Sequence, residues 1–204
     1  MLEALVSRLT VKMRVAYAGA LFVFLFGLAL GIIFPAYFTS VVVPVVEKTF
    51  DHVGAINSDF ELLALIFAKN CLVAVLVLAA MPAAALLARR AERCWVLKCL
   101  AGMGWFFGKA LPVLALAING VFIAWISVIL YQDGLPVAVL IGGLAPHGVF
   151  EITALILACG YAFAGPADIS SRARFFVRNV TPLLALAALL EVYVTPVVMQ
   201  YLLR

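Results

Sequence analysis

Six polar side chains that could do chemistry lie inside long apolar runs of this sequence. They are Lys69, Asn70, Asn119, His147, Glu151 and Glu191. A charged residue at the centre of a membrane helix costs about 2.5–3.5 kcal/mol on insertion scales, whereas a leucine there returns only about 0.3–0.6 kcal/mol. We therefore expect each of these side chains to face other helices and to find a polar partner there.

The most informative pair is His147 and Glu151, which are four residues apart and therefore share one helix face. Three interpretations are open. The pair could be a structural clasp to other polar residues of the set, part of a path for protons or a polar substrate, or part of a metal site. The metal site lacks a second histidine within an apolar run, because His52 lies in a polar segment. Since the sequence has neither an HExxH motif nor another catalytic set, we predict a non-enzymatic protein without metal or cofactor.

Glycine and proline residues surround the polar set. Gly142, Gly143, Pro146 and Gly148 interrupt one apolar run, which predicts a helix broken at Pro146–Gly148. Gly120, next to Asn119, predicts a close approach between two helices. Pro196 predicts a kink near the chain's end. We thus assign helix-breaking or packing roles to Gly120, Pro146, Gly148 and Pro196.

The composition shows what kind of element must position these residues. The chain has 204 residues, of which 67% are hydrophobic and 12% charged. Soluble domains carry about 25% charged residues, so this chain is not expected to fold as a soluble enzyme or a nucleic-acid-binding module. We predict an all-α, polytopic bundle in a lipid bilayer, formed as a single transmembrane domain over residues 1–204.

Apolar runs of sufficient length predict five transmembrane helices. Their approximate bounds are 15–40, 62–88, 110–131, 135–165 and 180–202. Two further segments, 41–61 and 94–108, mix apolar residues with charges. We predict that both are amphipathic and lie at the membrane interface.

The basic residues orient this bundle. Five spans place most lysines and arginines on one side, and only Lys48 and Arg204 on the other. Because cytoplasmic loops are rich in lysine and arginine, the N-terminus is predicted inside and the C-terminus outside the cell membrane. The residues on the cytoplasmic side are Arg8, Lys12, Arg14, Arg89, Arg90, Arg93, Lys98, Lys109, Arg172, Arg174 and Arg178.

Four motifs together resemble a known family. They are Phe67-x-x-Asn70, Asn119-Gly120, Pro146-His147-Gly148-x-x-Glu151 and Glu191-x-x-x-Thr195-Pro196. In this order they resemble the stage II sporulation protein M family of integral membrane proteins, over roughly residues 60–204. The resemblance implies about five membrane helices. It also implies a link to a namesake that holds cell-wall hydrolases at the septal membrane of spore-forming bacteria.

Two functional hypotheses follow. The first is an oligomeric, non-enzymatic membrane scaffold that recruits other membrane or surface proteins. The second is a transporter or channel for an ion or small polar solute, with Lys69, His147, Glu151 and Glu191 in its path. Neither hypothesis involves nucleic acid.

Overall fold

The computed structural model describes residues 2–40, 58–90, 95–165 and 168–204. Across these ranges the chain forms helices and turns and contains no strand. The long helices are α1 (Leu2–Ile33), α2 (Asp59–Arg90), α3 (Trp95–Gln132), α4 (Val137–Ala164) and α5 (Ile169–Leu202). Each includes a stretch long and apolar enough to cross a membrane. The predicted all-α bundle with five membrane-length helices is therefore confirmed.

A proline and a glycine explain where two of the helices end. Helix α1 ends at Ile33, two residues before Pro35, which lacks the N–H that would continue the hydrogen-bond ladder. Residues 35–40 then form a short helical segment. Helix α3 ends at Gln132, two residues before Gly134, whose φ of +93° suits glycine. There the Leu135 amide donates to the Leu130 carbonyl at 3.0 Å, closing the last turn before α4.

The prediction of a separate interfacial helix over 94–108 is wrong, because Trp95–Gln132 is one continuous helix. The physical reason is packing of its first turns against the end of α2. Ala101 is buried, and a Cβ at Gly108 would lie 2.7 Å from the Met81 Sδ. The interfacial location of this stretch stays a prediction. The other predicted interfacial segment, 41–61, lies mostly outside the described residues, and its last residues belong to α2.

The predicted break at Pro146–Gly148 is also wrong, because α4 continues through Pro146 from Val137 to Ala164. Proline removes one backbone donor, but neighbouring helices in a bundle can compensate for that loss. Here the preceding glycines make room for α5. A Cβ on Gly142 would collide with the Leu202 side chain, and one on Gly143 would lie 3.1 Å from the Met199 Sδ. These glycines bring two helices together and do not interrupt the helix that carries them.

Helix α5 begins at Ile169, earlier than the predicted start near residue 180, and contains two wide turns. These turns span Phe176–Val180 and Leu190–Val194, and in each the backbone hydrogen bond closes five residues back. Both precede a Thr-Pro pair. Because Pro182 and Pro196 cannot donate an N–H to the preceding turn, the ladder widens before each of them.

Helices α1 and α3 run parallel and approach closely through glycine. A Cβ on Gly27 would collide with the Ala117 carbonyl, and one on Gly120 would collide with the Phe24 carbonyl. Small residues allow such close backbone contact between membrane helices. The remaining core is apolar and centres on α4, where Ala154, Ala158 and Cys159 are fully buried.

Candidate intramembrane polar site

The helices bring polar residues from three different helices to one cavity. This cavity has a volume of about 80 Å³ and lies among α2, α3, α4 and α5. Its polar lining consists of Lys69, Asn70, Asn119 and Glu151. Four of the six predicted polar side chains therefore meet at one place. Apolar side chains complete the wall, namely Val73, Ala74, Leu155 and Leu184.

The other two predicted residues, His147 and Glu191, lie next to this cavity. The His147 Nδ1 is 3.0 Å from the Thr195 Oγ1, which ties α4 to α5 just after the second wide turn. Glu191 is within that wide turn. The charges of Lys69, Glu191 and His147 all act on the Glu151 carboxyl group. The six residues form one group, which we call the polar cluster.

The polar cluster lies near the middle of the helices. At ~1.5 Å per residue, Lys69 is about 15 Å from the start of α2, and Glu151 is about 21 Å from the start of α4. Glu191 is about 17 Å from the end of α5. The start of α4 and the end of α5 lie together, since Gly142 packs against Leu202, whereas the start of α2 lies beside Ala188 and Leu189 of α5. A hydrocarbon core is about 30 Å thick, so the cluster is at mid-membrane depth.

The two asparagines of the cluster are satisfied differently. The Asn119 Nδ2 donates a hydrogen bond of 2.8 Å to the Ala115 carbonyl of its own helix. Asn70 is only 7% exposed, and its Nδ2 has no hydrogen-bond acceptor among the described residues. Its amide lies close enough to Glu151 to interact, but no hydrogen bond of ordinary geometry joins that nitrogen to the carboxyl group. A buried amide left in this way costs about 1–3 kcal/mol, and because Asn70 lines the cavity, its Nδ2 can donate to a group held there.

Opposite charges face each other across the cluster without touching. Lys69 is exposed on α2, whereas Glu151 and Glu191 are partly buried on α4 and α5. Within the described part of the chain, Lys69 forms no ion pair with a nitrogen–oxygen distance of 4.0 Å or less. The lysine and both acids nevertheless act on each other electrostatically. The cavity therefore separates a basic wall from an acidic one.

An apolar core closes the cavity toward the Arg172 end of the bundle. The next turns beyond it carry Val77 of α2, Ala158 of α4 and Val180 of α5, each with an exposed fraction of zero. Leu184 and Ala74 are each 2% exposed and form the floor of the cavity itself. The polar lining therefore stops at this depth, and the described residues provide no polar continuation through the core.

Arg172 is a structural residue that the sequence analysis placed on the basic cytoplasmic side without a specific role. It is only 4% exposed, and its guanidinium donates to the Leu78 carbonyl at 2.9 Å and to the Ala162 carbonyl at 3.2 Å. Leu78 is four residues before Pro82, and Ala162 lies in the last turn of α4, which ends at Ala164. Because Pro82 has no N–H and the last carbonyls of a helix have no intrahelical donor, both carbonyls lack a backbone partner in their own helix. The signal in the sequence was Pro82 inside an apolar run combined with a nearby arginine.

The residues predicted to break or pack helices have different surroundings. Gly120 lies at the close crossing of α3 with α1. Pro146 is inside continuous α4, and Pro196 is exposed directly after the second wide turn. Gly148 is buried, but an added Cβ would meet only the Ile152 side chain of its own helix, at 4.0 Å. Close packing between helices thus involves Gly120 and not Gly148.

Metal-ligating side chains do not cluster in the part of the chain that the structure describes. No group of three or more histidine, cysteine, aspartate or glutamate side chains there could hold a metal ion. His147 and Glu151 share a face of α4, but the partner of the His147 Nδ1 is a threonine hydroxyl.

Comparison with known proteins identifies one family. The family model described as Stage II sporulation protein M matches residues 20–196, which include every member of the polar cluster. No curated protein and no solved structure matches the chain.

Proposed function

Because the chain belongs to the stage II sporulation protein M family and is a multi-pass integral membrane protein, we propose that it is a non-enzymatic scaffold that assembles with other membrane proteins. The observation that carries this proposal is a lysine exposed at mid-membrane depth on the surface of α2. A charge in that position is costly against lipid and favours contact with another protein chain.

The exposed lysine is part of a regular face. Leu65, Lys69, Leu72 and Leu76 are spaced as one side of a helix, and we call this face the α2 stripe. The three leucines are 47%, 59% and 50% exposed. Exposed leucines alone are ordinary for a membrane protein, because lipid covers them. The lysine in their midst distinguishes this face from a purely lipid-facing one.

We propose that the α2 stripe is covered by a transmembrane helix of another subunit, either a second copy of this chain or a partner protein. Such a helix would pack against the leucines and would offer a neutral hydrogen-bond acceptor, such as an amide or hydroxyl oxygen, to Lys69. Interhelical polar contacts of this kind contribute about 0.6–2 kcal/mol each in membranes. Together with leucine packing they would give a specific, non-catalytic association.

In this proposal the polar cluster acts as a clasp that fixes α2, α4 and α5 relative to one another. The hydrogen-bonding contact between His147 and Thr195 and the packing of Gly142 against Leu202 both support a firm α4–α5 pair. The buried apolar core below the cavity also supports a static role more than an open channel. A rigid platform of this kind suits the assembly of partners.

Site-specific photo-crosslinking in native membranes tests the scaffold. A photoreactive residue at Leu72 on the α2 stripe should give protein adducts, whereas one at Leu25 on α1 should react mainly with lipid. The two leucines are similarly exposed, at 59% and 51%, so exposure alone cannot explain a difference between them. Equal yields of protein adduct at both positions would argue against a specific partner on the stripe.

Transport of an ion or small polar solute is a second candidate, favoured by the cavity itself. In that case the apolar floor at Ala74 and Leu184 would have to open during the cycle, as the gates of transporters do. Reconstituted protein would then give proton- or solute-dependent flux that collapses in the Glu151→Gln variant. Flux no greater than that of protein-free liposomes would leave the scaffold as the better account.

A further inference from the structure

Four titratable side chains face one another in the polar cluster, and their charges do not balance when both acids are ionised. Helix α2 contributes Lys69, α4 contributes His147 and Glu151, and α5 contributes Glu191. Helix α3 contributes only the amide of Asn119. With Lys69 cationic and His147 neutral, two ionised carboxylates would leave one excess negative charge at mid-membrane depth.

An excess charge in a poorly polarisable interior is expensive, because little solvent is present to stabilise it. Retaining one proton on the two acids makes the polar cluster neutral. One carboxylate then balances Lys69, and the other acid is a neutral hydrogen-bond donor. Among the described residues neither acid forms an ion pair with Lys69, and the cavity lies between Lys69 and Glu151.

Water fits the cavity in size and in chemistry. A volume of about 80 Å³ is well above the ~10–15 Å³ needed to hold one water molecule. The buried Asn70 Nδ2 has no acceptor among the described residues, and a water oxygen can supply one. The same water can donate a proton to a carboxyl oxygen of Glu151, which lines the cavity from α4.

We infer that the cavity binds water and that Glu151, in the cavity wall, shares one exchangeable proton through this water with Glu191, which neighbours the cavity on α5 one turn before the Thr195–His147 contact. Transfer breaks the O–H bond of the protonated acid and forms an O–H bond on water, while a proton of that water passes to the other carboxylate. No oxidant, reductant or other reactant is needed, and the net charge of the polar cluster is unchanged. This property is independent of whether another subunit covers the α2 stripe.

Infrared spectroscopy of the full-length protein in lipid nanodiscs tests the inference, because a protonated carboxyl group has its own carbonyl stretching band. Wild-type protein at neutral pH should show this band, and the band should shift when water is replaced by D2O. A wild-type protein without the band would overturn the shared proton. A band that does not shift within hours would overturn the water-filled cavity. Neither measurement depends on the folding of a variant.

Substitutions give a pattern that a purely structural cluster would not produce. Glu151→Gln and Glu191→Gln should each abolish the band, because one remaining carboxylate balances Lys69. Lys69→Met should roughly double it, because both acids must then be neutral. Asp133→Asn, at an exposed position in the turn after α3, should leave the band unchanged. Full band intensity in Glu151→Gln, or unchanged intensity in Lys69→Met, would contradict the shared proton.

Discussion

At the residue scale, the Arg172 guanidinium donates hydrogen bonds to two backbone carbonyls that have no donor in their own helices. It reaches the Leu78 carbonyl, which Pro82 leaves without a backbone donor, and the Ala162 carbonyl in the last turn of α4. Charge-assisted hydrogen bonds of this kind are stronger than neutral ones. The residue therefore connects three helices although it looks like one more cytoplasmic basic residue in the sequence.

We expect Arg172→Met to lower the free energy of unfolding by about 2–4 kcal/mol, because two buried carbonyls would lose their donors. The second substitution Pro82→Ala should restore about half of this loss, since an alanine N–H can donate to the Leu78 carbonyl. Denaturation of the single and double variants in mild detergent measures both effects. If Pro82→Ala destabilises the Arg172→Met background instead, the proposed compensation is incorrect.

The polar cluster was predictable residue by residue for a simple reason. Charged and amide side chains inside apolar runs must face the interior, so their existence pointed to a shared site. Their particular partners were not predictable, because Thr195 was noted only as part of a motif and yet contacts His147. Arg172 escaped notice since nothing in its local sequence distinguishes it from Arg174 or Arg178.

At the element scale, local rules predicted the helices well and their interruptions poorly. Pro146 and its glycine neighbours predict a break when α4 is considered alone. The helix is continuous because α5 packs on the glycines and fixes the backbone. Likewise, charges near Lys98 suggested that the first turns of α3 were separate, but the end of α2 supports them. Both differences come from contacts between helices, which single-helix patterns do not contain.

The crossing of α1 and α3 gives a direct prediction about glycine. Gly27→Ala should destabilise the bundle by about 1–3 kcal/mol, because the new methyl group would collide with the Ala117 carbonyl. Gly19→Ala on the same helix meets nothing within 4 Å and should be neutral or stabilising by up to about 1 kcal/mol. Thermal unfolding in detergent distinguishes the two variants. Equal losses would mean that the crossing is not tightly packed.

The start of α5 should respond to acid. Asp168 accepts a 2.7 Å hydrogen bond from the Ser171 amide, and this bond lowers the pKa of the carboxyl group below its ordinary value. The stabilisation is therefore complete above the ordinary pKa of aspartate and is lost as the pH falls through the lowered value. Protection of the Ser171 amide against hydrogen exchange, measured relative to its intrinsic rate at each pH, should fall over that acidic range and be low at every pH in Asp168→Ala. An exchange rate unaffected by this substitution would exclude the cap.

At the scale of the whole molecule, the bias of basic residues predicts a cytoplasmic N-terminus and an external C-terminus. A membrane-impermeant thiol reagent can test this with the exposed Cys99 near the start of α3 and with an Arg204→Cys variant. The native thiol should react only from the cytoplasmic side and the introduced one only from outside. Labelling with the opposite sidedness would invert the topology.

The composition and charge pattern were enough to predict a five-helix membrane protein, because a bilayer permits few alternatives to a helical bundle for such a chain. The same features do not identify what covers the α2 stripe, since any lipid or helix can cover leucine. Lys69 favours a protein helix over lipid as the cover of this face, because its charge is costly against lipid. Its exposure could not be predicted from the sequence, since it depends on how α2 packs against α3 and α4.

The most direct test of the scaffold is the number of protein chains in particles extracted with native lipid. Wild-type particles should contain more than one chain. The variant Leu65→Ala/Leu72→Ala/Leu76→Ala should yield mostly single chains. The matched control Leu21→Ala/Leu25→Ala/Ile32→Ala changes residues of α1 that are 45%, 51% and 59% exposed and should assemble like wild type. Wild-type particles with one chain, or stripe variants that assemble fully, would contradict a scaffold that works through the α2 stripe.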